Sequence, residues 1–74
     1  GILLSGYPNP STDFITLVSD NAIQKVTVSN LYTEKIKLPV VMSGNSQAKL
    51  DIRQLPKGIY FANVDGQALK FIKD

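Results

Sequence analysis

The chain has 74 residues, a net charge of +2 and a pI near 9.1, with neither Cys nor His. That length supports one small domain with a single core; missing thiols exclude disulfides and Cys-ligated zinc, and missing imidazole removes the usual general base and the commonest metal ligand. Basic and acidic residues interleave along the chain, so no nucleic-acid partner is expected.

The apolar run Ile2-Leu3-Leu4 is too short for a membrane span or a secretory h-region, and no basic segment precedes it. Direct membrane insertion is therefore not expected. A start on Gly1 suits a fragment of a longer secreted precursor, with residues 1–10 as linker and lead-in to the domain. Within that stretch, the prolines of Tyr7-Pro8-Asn9-Pro10 fix φ twice and bias Tyr7 and Asn9 towards extended backbone, which gives a stiff, non-helical approach to a strand.

Period-two alternation dominates the chain beyond Pro10, and no stretch of helical length carries a 3.6-residue apolar face. Residues 13–19 place Ile15 and Leu17 on one face, with Phe14 and Val18 on the other, before a turn at Ser19-Asp20-Asn21. Residues 23–30 alternate Val26 and Val28 with Lys25 and Thr27. Residues 35–40 set Ile36, Leu38 and Val40 against Lys35 and Lys37, and because Pro39 cannot donate to a ladder this expected strand should be an edge, or Pro39 should face away from its neighbour. Ser43-Gly44-Asn45-Ser46 is a hairpin or loop signal, followed by Ala48, Leu50 and Ile52 alternating with polar residues. Leu55-Pro56 marks a corner before residues 59–64, where Tyr60, Ala62 and Val64 share a face. Asp65-Gly66 then forms a tight hairpin into a last strand over residues 68–73.

The expected fold is all-β, a small immunoglobulin-like β-sandwich of about seven short antiparallel-type strands, with a closed barrel as the alternative. Its core should include Ile15, Leu17, Val26, Val28, Leu50, Tyr60 and Val64. Asp13, Asp51 and Asp65 do not have the spacing of a calcium loop and read as turn-capping or solvated groups. Lysines together with Tyr32 and Phe71 could bind single-stranded nucleic acid, the rings stacking on bases, but a small core needs most of its aromatics. No catalytic, metal-binding or cofactor-binding residue is assigned.

In order and spacing, several segments together resemble the type A C-terminal sorting domain of Bacteroidetes type IX secretion. They are Tyr7-Pro8-Asn9-Pro10, an acidic residue at Asp13, the Leu-x-x-Gly-x-Tyr set of Leu55, Gly58 and Tyr60, and the terminal Lys70-Phe71-Ile72-Lys73. One departure is Glu34, which stands where the family has a turn glycine, so a different turn or a strained residue is expected there. The resemblance implies a non-catalytic secretion signal that directs an N-terminally attached cargo through the outer membrane. The implied partners are the type IX translocon and a sortase-like cysteine peptidase, and the implied route runs through the periplasm to the cell surface or medium. On chemistry alone, Pro8 and Pro10 read as a rigid turn, Gly58 and Tyr60 as fold determinants, and Lys70 and Lys73 as solvated lysines. The resemblance shifts the terminal lysines towards docking, on an accessible strand edge with a short cationic face.

The competing reading is an accessory fibronectin-like or carbohydrate-binding sandwich of a secreted enzyme. Zero Trp, with Tyr7, Tyr32 and Tyr60 as the sole tyrosines, argues against a stacking platform for glycans. Open sheet edges and a hinge at residues 43–46 further lead to an expectation of weak self-association by strand pairing or swapping.

Overall fold

Alternation in sequence becomes alternation in burial. The computed structural model describes residues 3–74, and all its regular elements are strands. They are β1 (Leu4–Tyr7), β2 (Phe14–Ser19), β3 (Val26–Ser29), β4 (Lys35–Ile36), β5 (Val40–Ser43), β6 (Gln47–Asp51), β7 (Gly58–Val64) and β8 (Gln67–Lys73). Eight strands thus stand where about seven were expected. They form two antiparallel four-stranded sheets, ordered β1-β2-β6-β5 and β4-β3-β7-β8. The architecture is a β-sandwich.

The two sheets bury a shared core. Ile15 and Leu17 of β2 and Ala48 and Leu50 of β6 face Val28, Tyr60, Ala62, Val64 and Phe71 of the second sheet, with Ile52 and Leu55 closing one end. Six of the seven expected core residues are buried, whereas Val26 is half-buried and packs against the cluster. Full burial of a side chain such as Phe71, at 0% exposure, contributes roughly 1.5–3 kcal/mol. The Tyr60 and Phe71 rings stack with centroids 5.7 Å apart, and the Tyr60 hydroxyl donates to the Pro56 carbonyl at 2.7 Å. The polar tip of a buried ring is thereby satisfied.

Local turn chemistry follows the residues that allow it. Asp65 and Gly66 take φ of 51° and 91°, the paired left-handed geometry of a two-residue hairpin between β7 and β8. The Asp65 carboxylate also accepts from the backbone N–H groups of Gln24 and Lys25, tying the hairpin to the lead-in of β3. In the β3–β4 loop, positive φ falls on Thr33 (61°) and not on Glu34. The Asn30 side-chain oxygen accepts from the N–H groups of Tyr32 and Glu34, so this is a different turn rather than a strained Glu34.

Two segments depart from the expected strands. Residues 35–40 are not one strand: β4 ends at Ile36 and lies in the second sheet, while Val40 opens β5 in the first. Pro39 lies in the crossover, where no ladder donor is needed, and both β4 and β5 are edges. Residues 4–7, within the expected linker and lead-in, form β1 and pair with β2 from Leu4↔Ser19 to Tyr7↔Thr16. The parts of that stretch at residues 1 and 2, including Ile2 of the apolar run, lie outside the described residues. Gly6 lets β1 approach the other sheet: a β-carbon there would lie 2.5 Å from Leu69 Cδ2 on β8. That contact closes one seam of the sandwich. At the opposite seam β4 and β5 leave a groove of about 520 Å³.

Candidate functional site

The segments singled out in the sequence, far apart along the chain, meet at one corner. Tyr7, Pro8, Asn9 and Pro10 lead out of β1 along the outer edge of β8, and both X-Pro peptide bonds, at Tyr7-Pro8 and Asn9-Pro10, are cis. Asn9 spans the terminal strand with both ends of its amide. Its Oδ1 accepts from the Ile72 N–H at 3.0 Å and its Nδ2 donates to the Lys70 carbonyl at 3.3 Å. One side chain thus satisfies backbone groups that a neighbouring strand would otherwise take.

Ser11 continues the pairing with its backbone. It forms a parallel bridge to Lys73, its N–H donating to the Ile72 carbonyl at 2.9 Å and its carbonyl accepting from the Asp74 N–H at 2.8 Å. Its side chain, 1% exposed, donates to the Pro8 carbonyl and holds the segment folded on itself. Sequence reasoning passed over Ser11. A serine after Pro-Asn-Pro carries no periodicity signal, and its role depends on a strand some sixty residues later.

β8 is therefore not a free edge over residues 70–73, which corrects the expected accessible terminal edge. The cationic face is corrected as well. Register places Phe71 opposite Tyr60 and Lys70 opposite Phe61, so Lys70 and Lys73 fall on opposite faces of β8. Lys70 and Ile72 look outward beside Ile59 and Phe61, with Ile72 38% exposed. Phe71 points into the core, and Lys73 lies half-buried with Nζ near the Asp74 carbonyl.

The Leu-x-x-Gly-x-Tyr set supports the corner from beneath. Leu55 is buried, its N–H bonded to the Ile52 carbonyl at 3.0 Å. Gly58 begins β7 with φ 155°, a conformation that L side chains rarely adopt, although a β-carbon there would find its nearest neighbour, Tyr60 Cε2, at 3.9 Å. Backbone geometry, not crowding, calls for glycine. Gly58 pairs with Lys73, so this set and the terminal strand form one ladder. Asp13 stands apart as an exposed residue whose carbonyl accepts from the Ile52 N–H at 2.9 Å.

Among the described residues no cluster of three or more acidic, His or Cys side chains could hold a metal ion, and no helix is long and apolar enough to cross a membrane. What the corner offers is a surface: exposed Tyr7, Pro8, Asn9 and Pro10, with Lys70 and Ile72 alongside.

Beta-agarase A of Zobellia galactanivorans is 32% identical to the chain over 68 residues, covering 89% of the chain but 12% of that protein. The chain thus spans about one eighth of that relative's length. No solved structure matches. A family profile described as the secretion system C-terminal sorting domain matches residues 5–74, which takes in β2 to β8, most of β1 and the whole clasped corner. The chain belongs to that family, the C-terminal sorting domains of type IX secretion.

Proposed function

We propose that this domain is a non-catalytic address that carries an N-terminally attached cargo from the periplasm through the outer membrane by the type IX translocon. A sortase-like cysteine peptidase then removes the domain, and the cargo is attached at the cell surface or released. The observation that carries this reading is the convergence of Tyr7–Pro10 and residues 70–73 on one clasped, exposed corner. A folded signal needs a surface that exists only in the native state, and this one joins both ends of the described chain. Tyr7, Pro8, Asn9, Pro10, Lys70 and Ile72 present that surface, while Leu55, Gly58, Tyr60, Phe71 and Lys73 hold it in place. Asp13 contributes through its backbone.

The test is a fluorescent cargo with an N-terminal export signal, fused to this chain and expressed in a host with the type IX machinery. The intact fusion should reach the surface or medium, and deletion of residues 70–74 should leave it in the periplasm. Lys70→Gln with Lys73→Gln separates charge from folding, because it preserves the strand. Secretion of the truncated fusion at the intact level would overturn the proposal.

A further inference from the structure

The edges of the sandwich are not equally protected. β8 is covered over its last residues by Asn9 and Ser11, β1 is held against Leu69, and β4 has two residues. β5 has none of these devices. All four of its residues are exposed, with Val40, Val41 and Met42 at 40%, 64% and 42%, and no charge or proline interrupts it. Natural edge strands usually carry such an interruption to prevent pairing with another chain.

The groove of about 520 Å³ opens beside this edge. Val26, Val28, Ile36 and Leu38 supply its apolar lining, and its two charged residues are Lys35 and Lys37, with no carboxylate. Neither lysine is ion-paired among the described residues. Register shows that Val40 and Met42 point inward, since they stand opposite the buried Leu50 and Ala48. A strand added alongside β5 would continue the sheet over the groove, and every second side chain would then enter it.

We propose that β5 and this groove form a docking site for an extended acidic segment of another protein, with apolar residues at alternate positions and carboxylates flanking them on the same face. Pairing with the β5 backbone supplies binding that is independent of sequence, the apolar groove selects alternate side chains, and Lys35 and Lys37 select negative charge. A second copy of this chain fits less well, because it would bring its own Lys35 and Lys37 to the same seam. The site lies at the seam opposite Gly6 and Leu69 and does not depend on the sorting role of the clasped corner.

The test uses the 74-residue chain, labelled with nitrogen-15, and a blocked synthetic peptide, Glu-Thr-Val-Thr-Val-Thr-Glu, whose Glu and Val share one face of a strand, against the same peptide with Lys for every Glu. The acidic peptide should shift the amide signals of residues 35–43, slow amide exchange at residues 40–43, and bind at least about tenfold tighter than the basic one. Lys35→Glu with Lys37→Glu, both at exposed positions, should reverse that preference. Lys57→Glu with Lys70→Glu changes net charge equally away from the groove lining and should preserve it. Met42→Lys, an inward-pointing charge on the edge, should abolish binding of both peptides; if it unfolds the domain, the charge-reversal pair decides the matter. Equal binding of the two peptides, no binding at millimolar concentration, or shifts confined to β1 or β8 would overturn the proposal. So would sedimentation showing a dimer with residues 40–43 protected in the absence of peptide, since the occupant would then be a second copy.

Discussion

Tyr60 and Phe71 stand opposite each other across the β7–β8 ladder, with rings stacked at 5.7 Å and an interplanar angle of 25°. One belongs to the Leu-x-x-Gly-x-Tyr set and the other to the terminal Lys70-Phe71-Ile72-Lys73. The two motifs are thus two halves of one packed unit, and both rings are buried.

Truncating this pair separates packing from hydrogen bonding. Tyr60→Ala should lower unfolding free energy by about 3–5 kcal/mol, the cost of removing a core aromatic, and leave the domain unfolded or nearly so. Tyr60→Phe keeps the stack and loses only the bond to Pro56, so its cost should be about 0.5–1.5 kcal/mol. Urea denaturation of both variants measures the difference. An unchanged midpoint for Tyr60→Ala would contradict the buried stack.

Asn9→Ala removes both bonds to the terminal strand while leaving the prolines in place. The expected loss is about 1–2 kcal/mol. Amide exchange should accelerate at Ile72 far more than at Ala62, whose strand neighbours are untouched. Uniform acceleration across both residues would mean that the clasp does not act locally.

Gly58→Ala has room for its methyl group but not the backbone freedom. At φ 155° an alanine is strained, so the variant should be less stable by about 1–3 kcal/mol. Thermal melting checks this, and a crystal structure should show the start of β7 shifted relative to Lys73.

Arg53 grips the Asp51 carboxylate with two bonds, Nε to Oδ1 at 3.0 Å and Nη2 to Oδ2 at 2.7 Å, and its guanidinium lies over the Phe14 ring. These bonds hold the Asp51 pKa below the ordinary aspartate value and raise that of Arg53. A carboxyl whose folded pKa is depressed stabilises the fold above its unfolded pKa, and that contribution is lost as pH falls through the folded value. Carbon-13 NMR titration should find the Asp51 midpoint below that of an unstructured aspartate. Arg53→Gln should move it upward, with little change in stability at neutral pH, because the pair is solvent-accessible.

Much of the sandwich was legible because burial on one face leaves a period of two. Ile15 and Leu17, Ala48 and Leu50, and Tyr60, Ala62 and Val64 all alternate with polar or half-buried neighbours, and each set forms the inner face of its strand. Lys35 to Val40 alternate as well, yet the chain changes sheets at Pro39, and a crossover leaves no mark on hydrophobic pattern. β5 was hidden for the opposite reason: Val40-Val41-Met42 does not alternate, because both faces of that edge are exposed. β1 places Gly6 where an apolar inner residue would have announced a strand. The motif residues of the corner could be named from sequence, but their arrangement could not. Asn9 reaches backbone groups, which any residue offers, so nothing at positions 70 or 72 announces the contact.

The bonds from Asn9 to Lys70 and Ile72 join positions 61 and 63 apart. Contacts of that span form only when the far segment is present, and a chain emerging from its N-terminus supplies residues 70 and 72 well after residue 9. Until then Tyr7 to Ser11 have nothing to fasten to, and β7 lacks one of its neighbours. The native corner therefore certifies that residues 70 to 73 are in place: a nascent, stalled or clipped chain that stops before residue 70 lacks the far half of the clasp, however well its earlier strands have paired.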